Sequence, residues 1–175
     1  MNQGLVPIFD AWDQNPNRGV FGTERKVSFT ELASSIVSLG PFYYYVVDFS
    51  DMTLSHVNPA IADILGLDAE TITFNDVLEA IHPEDVDYVA RMESFMGKFF
   101  YANVHPSKLM KYKSNYNFRI RVKDGSYVLF NHQSLMLSLG PDGGYGKAIN
   151  IHTRIDHLAD TNTQKLSLIG LDGEP

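Results

Sequence analysis

The fold of this chain is constrained most by residues 114–155, where three strand-like runs follow one another with only tight turns between them. In the first run Tyr116, Phe118, Ile120 and Val122 alternate with Asn115, Asn117, Arg119 and Arg121. That period of two marks a strand with one buried face. Asp124-Gly125 offers the positive-φ pair of a two-residue hairpin turn, and residues 127–139 return as a β-rich apolar run. A second turn follows at Gly140-Pro141-Asp142-Gly143-Gly144, and residues 147–155 close a β-meander. An antiparallel sheet of this kind needs apolar cover on at least one face.

The upstream segments read as that cover. Residues 42–49 form a strand apolar on both faces, with Phe42, Tyr44 and Val46 on one side and Tyr43, Tyr45 and Val47 on the other. A short second strand spans 54–57 and runs into Asn58-Pro59, where Asn caps a helix and Pro opens it. Gly66 ends that helix. A weaker helical signal covers 74–80. His82-Pro83-Glu84-Asp85 then opens the longest helix, whose apolar stripe is Val89, Met92, Met96, Phe99 and Phe100. The acidic residues Glu84, Asp85 and Asp87 read as a solvated helix start suited to the positive end of the dipole. His105-Pro106 breaks the helix, and Ser107 can cap one further turn.

Near the N-terminus, Ser28-Phe29-Thr30-Glu31 has capping-box form and starts a short amphipathic helix that stops at Gly40-Pro41. The first 27 residues are turn-rich. The order of elements gives an α+β fold, a five-stranded antiparallel sheet with helices on one face plus an N-terminal helical cap, in which the first hairpin adds beside the last strand. Three parts follow: a cap over 1–39, a central domain over 40–156, and a C-terminal linker and strand over 157–175 that leads to an output domain beyond this chain.

Composition removes several functions. A formal charge of −7 over 175 residues disfavours direct nucleic-acid binding, which depends on clustered Lys and Arg. With no cysteine, disulfides, thiol nucleophiles, Cys-based metal sites and cysteine adducts of a flavin are excluded. There is no basic signal-peptide start and no apolar run of about 18 residues, so a cytoplasmic protein away from the membrane is expected. No Gly-x-Ser-x-Gly or His-Glu-x-x-His signature is present, and no catalytic residue or enzyme activity is assigned. The glycines around Gly146-Lys147 read as a hairpin turn rather than a phosphate loop, because Pro141 and Ala148 occupy the positions that define one.

Taken together, His82-Pro83-Glu84-Asp85 at the start of the long helix, Arg119 five residues before Asp124-Gly125, Asn58-Pro59-Ala60 and Leu65-Gly66-Leu67 give the region of about 40–156 a resemblance to the PAS fold. Asn117-Phe118-Arg119, the Leu-Phe-Asn-His-Gln of 129–133, Ile-His-Thr of 151–153 and residues 165–170 further resemble the sensor half of bacterial regulators that end in a LuxR-type helix-turn-helix. Arg154-Ile155-Asp156 departs from the family, standing where PAS domains commonly have Asp-Ile-Thr. The resemblance implies sensing, homodimerisation and control of an attached output domain. That output is a transcription factor or, alternatively, a histidine kinase or cyclase. It also implies a pocket between sheet and helices that often holds a small molecule. A ligand-free dimerisation module is the other reading.

The ligand, if any, is unknown from sequence. A two-residue turn at Asp124-Gly125 pairs Ile120 with Leu129, Phe118 with Asn131 and Tyr116 with Gln133, which puts Asn131 and Gln133 on the apolar side. Buried amides need partners, so these two bond either a ligand or nearby protein groups. The expected pocket therefore comprises Tyr44, Met96, Phe118, Ile120, Leu129, Asn131 and Gln133. No metal site is assigned. The six histidines show no paired ligand spacing, and haem is not expected. On the opposite side, Val128, Phe130 and Met136 share the outward parity, so a second subunit or the 28–39 helix should cover them. Residues 164–171 read as a strand left without a returning partner, and 156–175 are expected to pack poorly or to pair with a neighbouring molecule.

Overall fold

In a computed structural model, residues 38–173 are described, with the exception of Asp142. The chain divides into two compact units, 1–34 and 35–175, and only the second contains described residues. The expected N-terminal cap and all but the last two residues of its 28–39 helix lie outside them.

Six strands form one antiparallel sheet: β1 (Phe42–Asp48), β2 (Thr53–Ser55), β3 (Tyr112–Arg121), β4 (Tyr127–Met136), β5 (Lys147–Arg154) and β6 (Ser167–Gly170), in the spatial order β2-β1-β5-β4-β3-β6. The first hairpin does add beside the last strand of the meander, with Tyr44 opposite Ile151. Between β2 and β3 lie three helices, α1 (Ala60–Ile64), α2 (Phe74–Glu79) and α3 (Pro83–Asn103), and a 3-10 helix over Pro106–Lys111. Each start has a local cause. Asn58 Oδ1 accepts the Ala60 amide at 2.8 Å. Thr73 and Asp76 form a reciprocal capping box at α2. The His82 and His105 side chains accept the amides two residues on, each just before a proline at the first helical position.

One parity of each strand joins the helices in a single core: Tyr43, Tyr45 and Val47 from β1, Tyr116, Phe118 and Ile120 from β3, Phe130 from β4 and Ala148 from β5. Val128 and Met136 pack against the same cluster.

The β3–β4 register differs by one residue from the sequence reading. The Val122 amide donates to the Ser126 carbonyl and the Gly125 amide to the Val122 carbonyl, both at 2.8 Å, with Gly125 at φ +87°. The loop therefore holds Lys123, Asp124 and Gly125, a type I turn closed by a left-handed glycine, rather than two residues. Asp124 Oδ1 fixes it by accepting the Ser126 amide at 2.9 Å. Phe118 consequently pairs with Phe130, Tyr116 with His132, Asn117 with Asn131 and Asn115 with Gln133. A slip of one residue exchanges the faces of a strand. Val128, Phe130 and Met136 therefore face the core, while Leu129, Asn131 and Gln133 face away from it.

Two further expectations are corrected. β6 is not unpaired: it lies along β3 within the same chain, with Lys113 opposite Ile169, and the Lys111 ammonium meets Asp172 at 2.9 Å. The approach to it also crosses the far side of the sheet, where the Ile155 amide donates to the Leu129 carbonyl and Asn162 to the Asn117 carbonyl. Asp85, read as solvated, is buried at 8% exposure. Its carboxylate accepts the Arg119 amide at 2.8 Å and the Arg119 guanidinium at 3.1 and 2.6 Å. Burial opposes the charge of Asp85, but these hydrogen bonds and the Arg119 cation outweigh it and hold the carboxyl below its ordinary range. Asp85→Ala leaves Arg119 and a strand amide without their acceptor. It should cost about 2 kcal/mol in urea unfolding, less than a fully buried pair because Arg119 is partly solvated.

Candidate functional site

Between the sheet and α2–α3 lies a cavity of about 280 Å³. Phe74, Val77 and Ile81 wall it from the helical side, and Tyr45, Phe118 and Ile120 from the strands. Apolar side chains dominate, as in most small-molecule sites, with a few polar groups set among them. Those polar groups are Glu93 on α3, Tyr116 on β3, His132 and Ser134 on β4, and Asn150 and His152 on β5.

His132 and His152 are cross-strand partners whose rings lie 4.8 Å apart. Their exposures are 6% and 2%. His152 stacks on Tyr43 at 4.9 Å, and its Nε2 lies 3.2 Å from the Tyr45 hydroxyl. Neither Nδ1 has a hydrogen-bond partner among the described residues. Burial lowers His132 to about 4. Burial and then the neighbouring His132 push His152 well below its ordinary value. Both imidazoles are therefore neutral at pH 7.

Glu93 lies one turn after Val89 on the core-facing side of α3. Its carboxylate accepts the Tyr116 hydroxyl at 2.5 Å. The packing around the carboxylate end raises the Glu93 carboxyl by desolvation, and the Tyr116 hydrogen bond only partly opposes it; the side chain as a whole is exposed, which keeps the shift small. Glu93 also borders a second, smaller space of about 40 Å³, which Met96, Phe100, Leu109 and Tyr145 help to line.

No family model and no curated protein matches the chain. Among solved structures, the N-terminal domain of a diguanylate cyclase with a PAS/PAC sensor, from Marinobacter aquaeolei, superposes with a TM-score of 0.50 and 19% identity, over 65% of this chain and 94% of that one. A domain described as that of a light and redox sensing histidine kinase, from Haloarcula marismortui, gives 0.50 and 13%, over 71% and 97%. The fold is a PAS fold. At these identities the likeness concerns architecture alone, and β6 gives the sheet six strands where the sequence reading expected five.

Of the residues expected around the PAS cavity, Phe118 and Ile120 line it, whereas Met96 lines the smaller space beside it. Tyr44 has the parity that faces away from the helices. Leu129, Asn131 and Gln133 are displaced by the register. The Asn131 amide donates to Asn115 at 2.9 Å and Asn117 at 2.7 Å, so it is satisfied within the sheet. In their place stand His132, His152, Tyr45 and Glu93. His132 and His152 were legible had the three-residue Lys-Asp-Gly loop been read. Glu93 was legible from its i+4 spacing to Val89. Among the described residues no three His, Asp or Glu gather as metal ligands, and no helix is long and apolar enough to cross a membrane.

The histidines give the domain an acid-sensitive core. The unfolded chain protonates them near 6.5, whereas folded His132 resists to about 4, so this contribution is complete above about pH 6.5 and is lost as pH falls towards 4. Each pH unit between those two values is worth about 1.4 kcal/mol, so by pH 4 His132 alone removes about 3 kcal/mol of stability. Urea melts at pH 7.0, 6.0 and 5.0 should show stability falling throughout, before most carboxylates titrate. His132→Gln should flatten the profile by about half. A wild-type profile that is level down to pH 5 contradicts two buried neutral histidines.

Proposed function

We propose that this chain is a sensing and dimerising module that takes a small molecule into the cavity between its sheet and α2–α3 and relays occupancy to an attached output domain. The observation that carries the reading is the cavity itself: about 280 Å³ of apolar space with several polar side chains on its wall. A cavity of about 150 Å³ already admits benzene, so this one has room for a two-ring molecule. The module acts without catalysis of its own.

The output is a LuxR-type helix-turn-helix in a cytoplasmic transcriptional regulator. This rests on the sequence resemblance at 117–119, 129–133, 151–153 and 165–170. The two structural neighbours described above are named for a cyclase and a histidine kinase, which makes those outputs the competing outcome. Arg154 and Asp156, at the position of the usual PAS output motif, are joined by two hydrogen bonds of 2.7 Å, so the local charge is paired internally. Tyr44, Ile149 and Ile151 on the far side of the sheet keep part of their surface open, which supports a dimer through that face.

Val77→Phe is the direct test, since Val77 is 4% exposed and lines the cavity. In a filled core the added ring costs about 1 to 3 kcal/mol by overpacking. In this cavity it should change stability by less than about 1 kcal/mol, and native mass spectrometry should show any molecule retained by the wild-type chain lost from the variant. A clear drop in stability would mean that the space is not there, and the sensing reading would fail.

A further inference from the structure

The cavity holds an acid and, among the described residues, no base charged at neutral pH. Glu93 borders it, and among the described residues no Lys or Arg lines it, the carboxylate is in no ion pair, and its hydrogen bond is from Tyr116. His132 and His152 cannot supply the missing positive charge, because burial keeps them neutral. Around Glu93 the wall is aromatic, formed by Tyr45, Phe49, Phe74, Tyr116 and Phe118. An aromatic face attracts a cation through its quadrupole, and the attraction grows when the cation leaves water. Glu93 is itself exposed and lines the cavity, so it stands where an entering ammonium can meet it through a charge-assisted hydrogen bond.

Resting on the reading of this cavity as a small-molecule site, we infer that its ligand is an organic cation: a primary, secondary or quaternary amine of about two-ring size, whose ammonium pairs with Glu93 and whose apolar body lies against the aromatic wall. A carboxylic acid does not suit the same space. It would bring a second negative charge beside Glu93, with no cation on the wall among the described residues to offset either. A neutral molecule fits by shape but forgoes the charge-assisted hydrogen bond to Glu93.

The inference also fixes a pH dependence. Desolvation raises the Glu93 carboxyl in the empty cavity, and an arriving ammonium stabilises its ionised form. The other titratable groups on the wall are Tyr45, Tyr116, His132 and His152, with Tyr145 beside Glu93 in the smaller space. Burial raises all three tyrosines and lowers both histidines, so all five are neutral at pH 7 and Glu93 is the group that responds. Amine binding should therefore weaken as pH falls and the Glu93 carboxyl takes up its proton.

Isothermal titration of the 175-residue chain at pH 7.5 with tryptamine, tryptophol and indole-3-acetate tests this, because the three share an indole and differ in charge. Tryptamine should bind at least about tenfold tighter than tryptophol, and indole-3-acetate at least about tenfold weaker, a factor of ten being about 1.4 kcal/mol. Glu93→Gln should abolish the preference for the amine and leave tryptophol within about twofold. Should that variant fold poorly, tryptamine and tryptophol titrated into the wild-type chain at successively lower pH give the same answer, because only tryptamine should weaken. Equal or tighter binding of tryptophol or indole-3-acetate, a preference that survives Glu93→Gln, or tryptamine and tryptophol weakening alike as pH falls would overturn the inference while leaving a ligand cavity in place. If none of the three binds, the cavity reading falls with it.

Discussion

Gly125 adopts φ +87°, and that one left-handed residue lets Lys123, Asp124 and Gly125 close the β3–β4 hairpin as a three-residue loop. Side chains on a strand alternate with a strict period of two, so loop length decides which half of β4 meets the core. With three residues, Phe130 and His132 turn inward beside Phe118 and Tyr116, and Asn131 turns outward to Asn115 and Asn117. The next pairing passes the choice on, setting His152 of β5 against His132. The polar content of the cavity wall on β4 and β5 is thus a consequence of turn chemistry some distance away.

The helical wall is placed by a second constraint. The His82 amide donates to the Arg119 carbonyl and the Arg121 amide to the Ala80 carbonyl, so the start of α3 is stitched to the edge of β3 where β6 does not reach. Asp85 then clamps Arg119 from the first turn of the helix, at the positive end of its dipole. Two turns further on, Glu93 meets Tyr116. Held at these two points, α3 stands off the sheet, and the room beneath it and α2 is the cavity. The same residues serve stability and binding: moving the Asp85–Arg119 contact would move Glu93 relative to the aromatic wall.

Much of this was legible in the sequence. Strict alternation in 114–122, the Asn-Pro and His-Pro helix starts and the Val89–Met96–Phe100 stripe stated strand and helix positions directly, because each rests on a local rule of geometry. The pocket was less legible, for a specific reason. Asp124-Gly125 is compatible with a two-residue and a three-residue loop, and composition alone favoured the shorter. That choice carried Leu129, Asn131 and Gln133 to the wrong face and hid the histidines. Asp85 was misread because the helix-start rule accounts for an acid in the first turn without any partner. Its real partner, Arg119, lies 34 residues away in sequence. The strand of β6 was read but its pairing escaped, because the edge it joins is set by where α3 leaves β3 uncovered, which no local pattern announces.

The hairpin register is the central claim, since the cavity's polar wall depends on it. Cross-strand nuclear Overhauser effects on the isotope-labelled chain report it directly. The three-residue loop predicts backbone contacts that pair Asn131 with Asn117 and His132 with Tyr116, with ring contacts between His132 and His152. Backbone contacts pairing Asn131 with Phe118 and Gln133 with Tyr116 would contradict it, returning the amides to the core and removing the histidines from the cavity.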